Sequence, residues 1–260
     1  MNLSVVVITY NEAKHIKRCL DSVQGLADEI IVVDSGSKDI TKDIAQSCGA
    51  IVVHQDWLGF GEQKNFANNL TTNDWILSLD ADEALSFELK EEISVVMKRP
   101  FYNVYSMNRL NKYCGKWLRH GGWYPDTKLR LFNKNFAHWN TNRVHEILEV
   151  VSNVSIGKLK NNILHYPFDS ITEHKQRTEK YALLGAEQIF LKGNKPNFWK
   201  IYFSGCFRFF RNYVLKGGFL DGYHGFWASK ITAQAVSKKY AEAARLFYVN
   251  HSVNMKHKTI

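Results

Sequence analysis

The chain predicts an α/β protein with a mostly parallel central sheet, helices on both of its faces and a C-terminal helical extension. Two observations carry this prediction. Short, continuously apolar runs alternate with helically spaced apolar residues through the first hundred positions, which is how buried parallel strands and their crossover helices read. Polar and acidic residues then gather at the C-terminal ends of those runs, the edge at which open parallel sheets bind ligands.

Taken in order, residues 3–9 form the first strand, and Ala13, Ile16, Leu20 and Val23 follow at helical spacing. Residues 29–34 (EIIVVD) are a second strand, 41–48 a helix with Ile44 and Ala45 on its inner face, and 50–53 a third strand. Residues 62–70 read as a helix and 75–79 as a fourth strand. A helix over 86–97 has Ser86 as its N-cap and Glu88 in its first turn, both suited to the exposed N–H groups there. Beyond residue 100 the segments 104–109, 128–132 and 147–151 predict short strands of a mixed sheet, with a loop over 115–126. Residues 171–191 predict a long helix with Tyr181, Leu184 and Gln188 on one stripe. No linker punctuation separates the parts. The expected organisation is a main unit over 1–170 (1–100 and 101–170 forming two sides of one site) and an extension over 171–260.

With 260 residues, 45% hydrophobic and 23% charged, the chain can build an ample core. Its four cysteines (Cys19, Cys48, Cys114, Cys206) are scattered without a C-x-x-C pair, so they read as reduced thiols, neither a disulfide framework nor a zinc site. The N-terminal apolar run gives way to Asn11, Glu12 and Lys14, a strand and not a signal peptide, and no stretch reaches the length of a membrane span. A cytoplasmic location is therefore expected.

Charge is segregated. Residues 1–100 hold 9 Lys and Arg against 16 Asp and Glu, a balance of −7, while the remainder holds 25 against 9, a balance of +16. The basic part implies an anionic partner. No nucleic-acid-binding motif is visible, so nucleic acid is not the expected one.

Three polar loops converge on one sheet edge: Thr9-Tyr10-Asn11-Glu12, Asp34-Ser35-Gly36-Ser37 and Asp80-Ala81-Asp82-Glu83. The last is an apolar strand ending abruptly in acids, a pattern suited to a divalent cation shared between carboxylates and substrate phosphates.

These blocks, with Gln63-Lys64-Asn65, resemble the family 2 inverting glycosyltransferases of GT-A fold. The later blocks Lys128-Leu129-Arg130-Leu131-Phe132, Val144-His145-Glu146 and Gly218-Phe219-Leu220-Asp221-Gly222 resemble one branch, the lipopolysaccharide inner-core β-1,4-glucosyltransferases acting on heptose. The resemblance implies a UDP-sugar donor, UDP-glucose by the branch. Thr9, Asn11 and Glu12 would line the nucleoside pocket, Asp34 with Ser35 would meet the uracil, and Lys64 would lie beside base or phosphates. Asp80 would approach the ribose and share with Asp82 a bound Mg²⁺ or Mn²⁺. His145 would be a third metal ligand or an acceptor contact.

Inversion requires an acceptor hydroxyl to attack opposite the departing UDP, and a carboxylate to take its proton. Glu146 is the candidate base and Glu83 its rival. The segment 116–124 mixes cations, aromatics and a glycine pair, which suits contacts to sugar and phosphate and a closing lid. Arg119, His120, Trp123 and Arg130 are the candidate acceptor contacts.

In the extension, the aromatics of residues 198–227 are interleaved with Lys200, Arg208, Arg211 and Lys216, as in helices that lie on anionic membranes. The expected acceptor is a lipid-linked anionic saccharide, met by an enzyme peripheral to the inner face of the cytoplasmic membrane. The alternatives are transfer to a polyprenyl phosphate and a non-catalytic nucleotide- or nucleic-acid-binding protein.

Overall fold

Leu3–Thr9 (β1) is buried along its whole length, because β-branched and leucine side chains fill both faces of a strand that has neighbours on either side. It pairs in parallel with Glu29–Asp34 (β2) and, across its other edge, with Trp75–Asp80 (β4). Alternate side chains serve two cores. Leu3, Val5, Val7, Leu77 and Leu79 pack on Ile16–Val23 (α1), Thr41–Ser47 (α2) and Phe87–Lys98 (α4), while Val6, Ile8, Ile31 and Val33 pack with Ala67 of Phe60–Asn69 (α3). Each such buried side chain contributes about 1.5–3 kcal/mol.

The computed structural model describes residues 1–140 and 146–256, with side chains described to residue 249. They fall into two compact units, Met1–Leu110 with Pro125–Tyr166, and Asn111–Tyr124 with Pro167–Ile260.

In the first unit Ile51–His54 (β3) is the outer parallel strand beside β2. Glu83–Leu85 (β5), Val104–Tyr113 (β6), Asp126–Asn133 (β8) and Ile156–Phe168 (β11) continue the sheet in the order β3-β2-β1-β4-β8-β6-β11-β5. The pairs β3–β2, β2–β1 and β1–β4 are parallel, and the pairs β4–β8, β6–β8 and β11–β5 are antiparallel. This is the α/β architecture expected, with the sheet mixed beyond residue 100. Residues 147–151 do not join that sheet. Leu148–Val150 (β10) pairs with Ala137–Trp139 (β9) in a separate two-stranded ribbon, and its inward Leu148 packs with Trp139 and Phe132. Ser86 caps α4 by accepting from the Leu89 N–H, 3.1 Å, as its sequence position implies.

The second unit contains Lys116–Leu118 (β7), which pairs with Asn111–Tyr113 at the end of β6. It also contains Ile171–Leu191 (α5), Phe198–Phe210 (α6) and Gly222–Lys256 (α7). The expected stripe on α5 does not face inward: Tyr181 and Leu184 are exposed, and His174, Ala182 and Ala186 are the buried positions. Small residues let α5 lie close to α7, where a Cβ on Gly185 would come within 2.9 Å of the Lys239 stem. Residues 198–227 are not one helix. A π-helical turn over Arg211–Leu215 and a 3₁₀ turn over Gly218–Asp221 separate α6 from α7, with Gly217 left-handed at φ 67° between them. The four cysteines are free thiols.

Candidate active site

Strand β1 delivers Thr9 to the sheet edge in register with Asp34 of β2. Thr9 is buried and its Oγ1 has no protein partner, so one buried oxygen stands ready for a ligand or water. Asn11 adopts φ 54°, a left-handed turn that asparagine tolerates. Its N–H donates to Ser37 Oγ (2.8 Å) and its Oδ1 accepts from the Lys38 N–H (2.8 Å). The Glu12 N–H donates to Thr41 Oγ1, 2.8 Å.

Asp34 sits at the C-terminal end of β2. It is fully buried, with Oδ1 accepting from the N–H groups of Gly36 (3.0 Å) and Ser37 (2.9 Å), and Oδ2 from the Ser37 hydroxyl. Its carboxylate builds the turn that carries Ser35 instead of projecting from it. Ser35 Oγ in turn accepts from Gln63 Nε2, 3.1 Å.

The centre of the site is a run of alternating charges. Asp80 Oδ1 pairs with Lys64 Nζ (2.9 Å) and Oδ2 with Arg130 Nη2 (2.5 Å). Arg130 also reaches Glu83 Oε1 (2.9 Å), which Arg109 Nη1 meets at the same distance. Arg109 continues to Asp126 (2.8 Å), and Asp126 to Lys128 (3.0 Å). At the other end Lys64 Nζ reaches Glu146 Oε1, 3.2 Å. Burial would raise the Asp80 pKa, but Arg130 and Lys64 outweigh it and hold the carboxyl well below its ordinary value. Burial opposes the charge of Arg130 too, yet Asp80 and Glu83 raise its pKa further. Asp80 and Arg130 therefore stay charged at neutral pH.

Asp80, Arg109, Lys128, Arg130, Trp139 and Glu146 line a cleft of about 400 Å³. Asp80 and Glu146 are partly exposed to it, at 27% and 24%. Glu83 is 1% exposed, and besides its two arginines it accepts the Asp80 N–H at 3.0 Å. That carboxylate is engaged in holding the charges together, whereas Glu146 is open to the cleft.

Asp82 lies one turn further on, with Oδ2 3.3 Å from His165 Nε2 on β11. Among the described residues no cluster of three or more His, Cys, Asp or Glu side chains forms a cation site. His145 lies outside the described residues. The Asp82–His165 pair nevertheless fits a divalent cation: donors each about 2.1 Å from one ion lie roughly 3 Å apart. Two protein ligands completed by substrate phosphates is an ordinary arrangement for such ions.

Arg119, His120 and Trp123 belong to the second unit. Asp221, 4% exposed, accepts from the N–H groups of Arg119 (3.1 Å) and His120 (2.8 Å), and lies 3.1 Å from His120 Nδ1. Lys116 Nζ donates to the Asp221 carbonyl, 2.9 Å. The expected lid is therefore a tied-down segment that begins as strand β7. Trp123 packs with Tyr113, Phe168 and His174 at ring distances of 5.7, 6.3 and 5.8 Å. It is half-buried and packs against the aromatic cluster of this unit.

Three residues of the site escaped the sequence reading: Arg109, Trp139 and His165. Strand register reveals two of them, since Arg109 pairs with Asp126 and His165 with Glu83.

The glycosyl transferase family 2 model matches residues 4–149. An uncharacterized glycosyltransferase of Rickettsia bellii is 35% identical, over 94% of this chain and 86% of its own. The lipopolysaccharide core biosynthesis glycosyltransferase LpsC of Rhizobium meliloti is 26% identical over 94% of both chains. Among solved structures, S. aureus TarS 1-349 in complex with UDP is 16% identical over 93% and 92% of the two chains, with a TM-score of 0.49. The sheet edge, the acid-terminated strand β4 and the matched 146-residue span lead to one conclusion: this chain belongs to glycosyl transferase family 2 and is a glycosyltransferase.

Proposed function

We propose that the protein transfers a hexose, glucose from UDP-glucose, with inversion to a lipid-linked anionic saccharide such as the heptose of a lipopolysaccharide inner core. One observation carries this reading: Asp80 and Glu146 line the same cleft, as a donor-side carboxylate and a proton acceptor serving one reaction would have to. The similarity to LpsC along nearly the whole chain supports the acceptor class.

Thr9, Asn11, Glu12 and Ser35 border the nucleoside, with Asp34 shaping the turn beneath it. Asp82 with His165 would hold Mg²⁺ or Mn²⁺, and His145 remains a candidate third ligand. Held there, such an ion would supply positive charge against the departing diphosphate. The acceptor oxygen forms the new bond to the anomeric carbon, its proton passes to Glu146, and the bond to UDP breaks with its electron pair leaving on the diphosphate. Residues 1–100 supply the donor side, 101–170 the acceptor side and 171–260 the extension.

Peripheral attachment to the inner face of the cytoplasmic membrane is part of the proposal. It is supported by α6, where Phe198, Trp199, Tyr202, Phe203 and Phe207 are exposed beside Lys200 and Arg208. No helix among the described residues is long and apolar enough to cross a bilayer. Aromatic rings with flanking cations bind headgroup regions of anionic lipid.

The test is a hydrolysis screen across UDP- and GDP-sugars, followed by mass analysis of core oligosaccharide from a deletion strain. UDP-glucose turnover lost in chelator, a core lacking one hexose, and sedimentation with phosphatidylglycerol but not phosphatidylcholine vesicles are expected. Sugar missing instead from a polyprenyl phosphate would move the acceptor. Binding to RNA without binding to UDP would remove the enzyme reading altogether. His165→Ala should abolish the enhancement of UDP binding by Mn²⁺; undiminished enhancement would remove His165 from the metal site.

A further inference from the structure

Lys64 is 1% exposed on the inner face of α3. A lysine this deeply buried needs partners for its ammonium group. Two of its three N–H donors point to Asp80 Oδ1 at 2.9 Å and Glu146 Oε1 at 3.2 Å, and the Trp139 ring lies 4.6 Å from Nζ.

The two carboxylates do not depend on it equally. Asp80 has a second cation in Arg130, 2.5 Å from its other oxygen. For Glu146, Lys64 is the cationic partner among the described residues. The residue next to Lys64 holds the same part of the chain by its backbone. Asn65 Nδ2 donates to the Trp139 carbonyl (2.7 Å), and the Trp139 N–H donates to Asn65 Oδ1 (2.9 Å). Those two bonds fasten β9, the strand on which β10 pairs, and Glu146 lies two residues before β10. Helix α3 thus secures the ribbon through Asn65 and the Glu146 carboxylate through Lys64.

From this we infer that Lys64 is a positioning residue for Glu146, setting the carboxylate over the cleft, and is not primarily a contact to the nucleotide. The inference rests on the reading of Glu146 as the base and adds the group that aims it. Base catalysis falls steeply with small displacements of the accepting atom, so a single ammonium shared between the two acids governs turnover more than affinity.

The experiment compares Lys64→Gln, Lys64→Arg, Glu146→Gln and the Lys64→Gln/Glu146→Gln double variant. Its readouts are UDP affinity in Mn²⁺ by calorimetry, and kcat for UDP-glucose hydrolysis, with water standing in for the acceptor hydroxyl. Lys64→Gln should lower kcat about 10- to 100-fold while the UDP Kd stays within about threefold, and Lys64→Arg should recover much of the loss. The double variant should be no slower than Glu146→Gln alone, because the lysine acts through that carboxylate.

A UDP Kd raised about tenfold or more by Lys64→Gln with kcat unchanged would assign Lys64 to the nucleotide and overturn the inference. Multiplying losses in the double variant would overturn it as well. If Glu146→Gln turned over at the wild-type rate, the base assignment itself would fall. If Glu146→Gln were inactive while Lys64→Gln altered only UDP affinity, the base would stand and this inference alone would fail. Should Lys64→Gln not fold, Lys64→Arg decides: reduced kcat at unchanged Kd supports positioning, and weakened UDP binding at unchanged kcat refutes it.

Discussion

Glu83 and Asp221 are buried to nearly the same degree, at 1% and 4% exposure, yet they are satisfied in opposite ways. Glu83 is held by two arginine side chains 26 and 47 positions away, with one backbone N–H as its third donor. Asp221 is held by two consecutive backbone N–H groups and the imidazole of the second residue. The first carboxylate ties together charges that reach the cleft. The second fixes the shape of a loop. A buried acid among cations links distant groups to one another, whereas one among amides sets local backbone geometry.

That contrast predicts a graded series. Glu83→Ala should cost the most, about 3–5 kcal/mol, because it strands Arg109 and Arg130 without their shared partner. Chemical denaturation would measure it, and a loss under about 1 kcal/mol would show that Asp80 and Asp126 suffice for both arginines. Asp221→Ala should cost roughly 2–3 kcal/mol, the penalty of leaving buried N–H donors unmet. A larger loss than that of Glu83→Ala would reverse the comparison.

His174 supplies the smallest effect and a third solution to burial, neutrality. Burial first, and then the positive charge of Arg177, lower its pKa to about 4 from an ordinary 6.5. Its Nδ1 lies 3.0 Å from the Tyr113 hydroxyl. The unfolded chain takes up a proton below about pH 6.5 while the folded chain does so only near pH 4, so stability falls as pH drops through that window. At about pH 5.5 the loss relative to pH 8 should be about 1.4 kcal/mol. His174→Phe should remove that part of the pH dependence. An unchanged profile in the variant would mean that other groups carry it.

Much of the first unit was legible because its physics is local. Strands β1 and β2 begin and end where their apolar runs do, and in the second unit α5 spans the expected residues although a different stripe is buried. Strand β11 was missed because Lys158, Lys160, Asn161 and Asn162 interrupt its apolar pattern; alternation survives in the burial of Gly157, Leu159 and Ile163. A Cβ on Gly157 would lie 2.5 Å from the Tyr105 ring, so that glycine marks a crowded crossing that composition does not reveal. The break between α6 and α7 was hidden by the aromatic content on both sides of it.

The site was legible in its acids and opaque in its partners. Asp80, Asp82, Lys64 and Glu146 stand out by position in their segments. Arg109 and His165 matter through strand register, and Trp139 through a ribbon fastened by Asn65, none of which has a short-range signature. Asp34 has a task that its place at a strand end did not reveal: both of its oxygens brace the turn that follows it.

The turn between α6 and α7 allows almost no sideways growth. A methyl group placed on Gly225 would overlap the Gly218 carbonyl oxygen at 1.9 Å and crowd the Asp221 Cβ at 2.9 Å. A single alanine there would push on the residue that anchors His120, 101 positions before Asp221. Harm from that change should therefore be felt far upstream of where it was made, as a loosened hairpin and not as a broken helix.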